Sequence, residues 1–191
     1  MQECIYGVML VNSCAEYWCL DKSWIRRDMN YRYISTPIGE LLLAGKDKGL
    51  VYIGFPNGKG KVKPEGDWIE KSDCFPEASK QLHEYFRGER RMFNLKLAPH
   101  GTPFQLEVLD ALLKVPYGQT CTYGDIASSI GRAKAVRAVG AANGRNPLPI
   151  VIPCHRVIGA SGSLTGFGGG LDVKKFLLNL ESPAQGNLGL R

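Results

Sequence analysis

From residue 31 onward, hydrophobic positions fall into short runs divided by turn residues. Tyr31 to Ile34, Glu40 to Ala44 and Leu50 to Phe55 are rich in β-formers, and Thr36-Pro37-Ile38-Gly39 and Lys46-Asp47-Lys48-Gly49 separate them. This punctuation predicts an antiparallel meander, followed by a Gly-, Lys- and Pro-rich loop over residues 56–74. From Pro76 the period changes to helical: Ala78, Leu82, Tyr85 and Phe86 share a face, and Gly88 is placed to close the helix in the left-handed conformation. Met92 to Leu97 reads as one more strand. An α/β lobe thus ends near Pro99, with His100-Gly101 as linker.

A second lobe opens with Thr102 as a cap, Pro103 at the first helical position and Gln105 to complete a capping box. Phe104, Val108, Leu112 and Val115 continue at helical spacing until Pro116. Thr122 then caps a helix over 123–130, Gly131 turns the chain, and a second helix runs from about Lys134 to Gly144. Two short helices about a glycine turn, the second basic, have helix-turn-helix grammar. Ala133, Ala135, Ala138, Gly140, Ala141 and Ala142 give that second helix a stripe of tiny side chains. They favour contact by shape and phosphate over base-edge readout, or else a tightly packed helix pair. The expected organisation is therefore an extension over 1–30, an α/β domain over 31–99, a second domain over 102–182 and a tail over 183–191. The extension shows no clean period, holds Cys4, Cys14, Cys19, Trp18 and Trp24, and reads equally as a packed segment or an arm.

The charge balance sharpens the class of partner. A net charge of +6 and a pI near 9.0 favour nucleic acid over acidic small molecules. Six cysteines without a Cys-x-x-Cys pair, and only three histidines, point to free thiols in a reducing compartment and to no metal site. No apolar run approaches a membrane span, and the first thirty residues lack the basic start and unbroken apolar core of a secretory signal. A cytoplasmic protein is expected, or a nuclear one in a eukaryote.

The chemistry concentrates at residues 149–157, Pro-Ile-Val-Ile-Pro-Cys-His-Arg-Val. Only a thiolate is a good nucleophile, and an adjacent imidazole and cation are the groups that lower a cysteine pKa. Between Ile126 and Leu171 there is no Asp or Glu, while Arg132, Lys134, Arg137, Arg145 and Arg156 are all present. Such a one-signed stretch is suited to holding a thiolate and to attracting phosphate. The plain alternative is a small buried hydrophobe after an apolar run.

Tyr123, Arg137, Asn146, the Pro-Cys-His-Arg-Val run, Gly166 to Gly170 and Glu181, in this order, give the chain a resemblance to the O6-alkylguanine-DNA alkyltransferases over about residues 31–182. The resemblance implies a ribonuclease-H-like α/β domain followed by a winged-helix-like catalytic domain, an α/β (α+β) fold class. It also implies single-turnover transfer of an alkyl group from O6-alkylguanine to Cys154, with O4-alkylthymine as a further candidate substrate, and without a cofactor. The substrate would be flipped from double-stranded DNA by a monomer working from the minor-groove side with little sequence preference.

Each residue inherits a role by its match to the family pattern. His155 takes the thiol proton through a water, Glu181 orients His155, Asn146 braces the turn, and Tyr123 donates a proton as guanine leaves. Arg137 enters the vacated stack, with Thr122, Ala138, Gly140 and Arg145 on DNA. Tyr123, Pro149, Val157, Phe167 and Gly168 line the lesion pocket, within a glycine-rich stretch over residues 159–169. Three departures stand out: Phe167 replaces a tyrosine of several relatives, Lys46 and Arg87 occupy zinc-ligand places of vertebrate members, and the first thirty residues have no counterpart. The resemblance outweighs a redox-sensing regulator, a Cys-His hydrolase and the alkyltransferase-like lesion binders, which lack the cysteine.

Overall fold

The computed structural model describes residues 9–10, 28–47 and 49–182. Its N-terminal part is a mixed sheet in the order β1 (Met9–Leu10), β6 (Lys96–Leu97), β4 (Gly49–Gly54), β3 (Gly39–Lys46), β2 (Asn30–Thr36), β5 (Ile69–Glu70). Strands β2 (Asn30–Thr36), β3 (Gly39–Lys46) and β4 (Gly49–Gly54) form the meander the turn residues predict. A bulge at Ala44/Gly45 bends β3, and only glycine fits there, because a Cβ on Gly45 would run into the Gly49 carbonyl. Leu41, Leu42, Leu43 and Ala44 are all at most 1% exposed, since both faces of β3 are covered. An unbroken apolar run is what a two-faced central strand requires.

The sheet's other members are parallel pairings at a distance in sequence. Within the stretch read as a loop, β5 (Ile69–Glu70) pairs with β2. The strand expected over Met92 to Leu97 shrinks to β6 (Lys96–Leu97), which joins β4 at Leu50. In the extension, β1 (Met9–Leu10) pairs with β6, and the rest of that segment up to residue 27 lies outside the described residues. Two-residue parallel pairs carry no turn signal, so local pattern does not reveal them.

Helix α1 (Pro76–Phe86) lays Ala78, Leu82, Tyr85 and Phe86 against one sheet face, and Gly88 takes φ +75° after its end, as expected. Helix α2 (Pro103–Leu113) has the full Thr102–Gln105 capping box, with Gln105 N–H to Thr102 Oγ1 at 3.3 Å and Thr102 N–H to Gln105 Oε1 at 2.8 Å. It stops at Leu113, short of Pro116, because a residue before proline is forced away from helical geometry. Thr122 caps α3 (Tyr123–Ser129) in a box completed by Asp125. After Gly131, at φ +70°, a 3-10 turn (Ala133–Ala135) leads into α4 (Val136–Asn143). Strands β7 (Cys121–Thr122) and β8 (Val157–Ile158) pair in parallel, and α5 (Leu171–Glu181) closes the described fold.

One hydrophobic core runs through both lobes, from Ile34, Leu43 and Tyr85 through Val108 and Leu112 to Ile152, Cys154 and Leu177. Backbone bonds join them as well: Ile53 N–H reaches Pro147 O at 2.9 Å, and Gly60 N–H reaches Gly168 O at 2.8 Å. The loop carrying the candidate site is therefore fastened to the sheet domain. No helix among the described residues is long and apolar enough to cross a membrane.

Candidate active site

Cys154 begins a 3-10 turn (Cys154–Arg156) that follows Pro153 and a buried apolar run. Within that run Ile150 has φ +76°, a conformation strained for a β-branched residue and tolerated here under full burial. Asn146 spans the turn, its Nδ2 donating to Ile152 O at 2.8 Å and its Oδ1 accepting from Leu148 N–H at 3.0 Å.

The thiol is 4% exposed, and burial pushes its pKa up to about 11. Hydrogen bonding from Asn146, the charge of Lys174 and nearby backbone amides pull the other way without cancelling burial. Burial thus favours the protonated thiol, and the neighbouring cations do not by themselves make it a thiolate. Arg156, read as part of the positive field on the sulfur, points elsewhere. Its guanidinium donates twice to Glu181, at 2.8 and 2.9 Å, and once to Val115 O at 2.6 Å.

His155 is fully buried and donates through Nε2 to Glu181 Oε1 at 2.9 Å, while its Nδ1 has no hydrogen-bond partner among the described protein atoms. Burial lowers its pKa below the ordinary histidine value, against the opposing hydrogen bond and charge of Glu181. Glu181 itself receives five donors: Tyr85 Oη, His155, Arg156 twice and Gly118 N–H. Burial would raise its pKa, but the bonds and charges of His155 and Arg156 hold it far below the usual carboxylate range. The result is an ionised carboxylate behind a neutral imidazole, an arrangement chemically able to orient a base and stabilise its charged form.

Lys174 is a functional candidate that the sequence pattern alone does not single out. It is buried on α5, donates to Val157 O at 2.6 Å and Thr165 O at 3.0 Å, and is the cation coupled to the thiol. A signal exists: Lys174, Leu177 and Glu181 share the buried face of α5, and two charges on an apolar stripe need a reason.

The remaining predicted residues divide into two groups. Tyr123 Oη lies 2.9 Å from Thr165 Oγ1, Val157 and Pro149 are buried, and Phe167 packs edge-on against His155 at 6.4 Å and Phe55 at 5.3 Å. Gly168 is held by the Gly60 bond, and a Cβ on neighbouring Gly169 would sit 2.9 Å from the Phe55 ring. These side chains gather around the Cys154 turn. Arg137, Ala138, Ala141 and Arg145 are exposed around α4, whereas Val139 and Ala142 face inward. Gly140 lies over the Tyr123 ring, where an added Cβ would make ordinary contact at 3.7 Å. The small-residue stripe is thus only partly a packing seam; much of it faces solvent. Thr122 uses its hydroxyl in the α3 cap.

A ribonuclease-like domain model of 6-O-methylguanine DNA methyltransferase matches residues 29–99, and the DNA binding domain model of the same family matches residues 103–183. The chain belongs to the 6-O-methylguanine DNA methyltransferase family. It is 55% identical over 153 residues to the methylated-DNA–protein-cysteine methyltransferase of Methanosarcina acetivorans, covering 80% of this chain and 98% of that protein. With the constitutive Bacillus subtilis protein of that name, identity is 42% over 163 residues, 79% of this chain and 94% of the relative. A crystal structure of Mycobacterium tuberculosis OGT in complex with DNA superimposes with a TM-score of 0.76 at 47% identity, covering 81% of this chain and 96% of that one. This agreement extends to architecture: a ribonuclease-like α/β domain precedes a helical DNA-binding domain, as the resemblance implied.

Proposed function

We propose that this alkyltransferase performs direct DNA repair, moving the alkyl group of O6-alkylguanine, and of O4-alkylthymine where it fits, irreversibly onto Cys154. The observation that carries this reading is the Glu181–His155 pair beside a buried thiol, with His155 Nδ1 left for a further partner. A thiol with a pKa near 11 needs a base at the moment of attack. His155, through a bridging water, accepts the thiol proton as Glu181 stabilises the imidazolium. Sulfur then forms its bond to the alkyl carbon as the carbon–O6 bond breaks, and Tyr123 Oη supplies a proton to the departing guanine. The thioether has no route back, so each molecule acts once and no cofactor enters the balance.

The lesion reaches the thiol by base flipping, because Cys154 is buried and cannot meet a base inside a duplex. The exposed face of α4 suits a monomer approaching the minor groove: Ala138 and Ala141 allow close backbone approach, and Arg137 fills the vacated stack. Arg145 holds a phosphate, and the paucity of base-reading side chains predicts little sequence preference. The working units are residues 31–99 and 102–182, in the cytoplasm, or in the nucleus if the source is eukaryotic. Incubation with an O6-methylguanine oligonucleotide followed by intact-protein and peptide mass spectrometry tests the reading. One methyl on the Cys154 peptide is expected, with none after Cys154→Ala; turnover past one equivalent, or methyl on Cys121, overturns it.

A further inference from the structure

We infer that Tyr85, contributed by the sheet domain, is a positioning residue for alkyl transfer: its hydroxyl fixes the Glu181 oxygen that holds His155. The inference rests on the relay proposed above. Tyr85 is fully buried on α1, and its Oη donates to Glu181 Oε1 at 2.7 Å. That same oxygen accepts His155 Nε2 at 2.9 Å and Arg156 Nη2 at 2.9 Å. Packing alone does not call for the hydroxyl. The ring sits among Phe86, Phe93 and Tyr117 at centroid distances of 5.5, 5.4 and 6.3 Å, a space a phenylalanine fills equally well.

What the hydroxyl adds is direction. Arg156 bridges both carboxylate oxygens from one side and Gly118 N–H holds Oε2 at 3.2 Å, so those contacts set the plane of the group. Tyr85 adds a donor from the other lobe, 96 residues away in sequence, and locks Oε1 against rotation away from the imidazole. It also draws electron density from the oxygen that His155 uses. Burial and the neighbouring carboxylate push the phenol pKa well above 10, so the hydroxyl remains a donor wherever the protein works. Without this bond the loss of orientation slows the relay, while the greater basicity of Glu181 when it does face the imidazole lets His155 hold its proton to higher pH.

Tyr85→Phe tests this in single-turnover reactions with an O6-methylguanine duplex and with a benzylated guanine free base, across pH 5 to 9. The plateau rate should fall about tenfold on both substrates alike, the size expected from weakening one hydrogen bond to a charged relay. The acid limb should also move upward by about half a pH unit, through the linkage between carboxylate basicity and its imidazole partner. A shift in the His155 titration followed by NMR supplies a readout independent of activity. In a double-mutant cycle, Tyr85→Phe should cost little further rate on a Glu181→Gln background. A wild-type rate and profile, a loss explained by unfolded protein with an unshifted His155 titration, or full additivity with Glu181→Gln overturns the role of Tyr85. If Glu181→Gln alone leaves rate and profile unchanged, the relay fails, and the inference falls with it.

Discussion

The Cys154 turn and the α4 face occupy the same domain yet are built on opposite principles. Around the thiol, the charged groups are buried and tied by directional bonds: Glu181 to five donors, Arg156 to Glu181 and Val115, Lys174 to two carbonyls. On α4, Arg137, Ala138 and Ala141 stand exposed on a helix whose packing is carried by Val139 and Ala142. Preorganised polar groups are valuable where charge develops in a dry site. A surface that meets DNA in the way proposed above gains more from small side chains and exposed cations.

That contrast predicts unequal damage. Glu181→Gln should slow alkyl transfer about a hundredfold, and equally on duplex and on free benzylated base, since it removes the anion behind the general base proposed above. It also leaves Arg156 buried opposite a neutral amide, which destabilises the fold by about 3 kcal/mol and should show as a lowered melting temperature. Single-turnover kinetics on the two substrates, beside a thermal melt, check both; unequal slowing would move Glu181 out of the chemical step.

Arg137→Ala should act in the complementary way, slowing the duplex reaction about tenfold through lost compensation for unstacking while changing the free-base reaction less than about twofold. Equal slowing on both substrates would blur the division between the two regions and return Arg137 to an ordinary solvated side chain.

The smallest expected effect is that of pH. A raised thiol pKa alone would make the rate climb about tenfold per unit from pH 7 to 9, because the thiolate fraction grows at that pace. With His155 as base the reactive pair is thiolate plus imidazolium, whose population is flat between the two pKa values. The pKa of His155 is lowered and that of Cys154 is about 11, so this window spans neutrality. The rate should change less than about twofold from pH 7 to 9, and its acid fall should lie on the acid side of the ordinary histidine value of about 6.5, because burial lowers the His155 pKa. A tenfold climb per unit in a quenched single-turnover assay would remove the base.

Much of this arrangement is legible in the order of residues. Turn residues mark the meander, the Thr102 and Thr122 caps mark two helix starts, and Cys154, His155 and Glu181 stand in a family order. Signals of this kind are local, or are carried by chemistry that keeps its order along the chain. Other features are not legible there. Lys174 reads as an ordinary helix lysine until burial shows which face it occupies, and Arg156 reads as a cation for the thiol until Glu181 claims it. The parallel pairs of Met9–Leu10 and Ile69–Glu70 have partners too distant for any local period to report.

The sequence by itself determined which groups are available: a thiol beside an imidazole, an acid-free basic stretch, and a helix of small residues between arginines. Tertiary structure alone decided the state in which they wait. Whether Cys154 rests as thiol or thiolate depends on how much water its surroundings exclude, and whether Glu181 is ionised depends on donors drawn from α1, the turn after α2 and the Cys154 turn itself. Desolvation and hydrogen-bond direction are properties of packed neighbours in space. No order of residues states them until the chain has closed around the site.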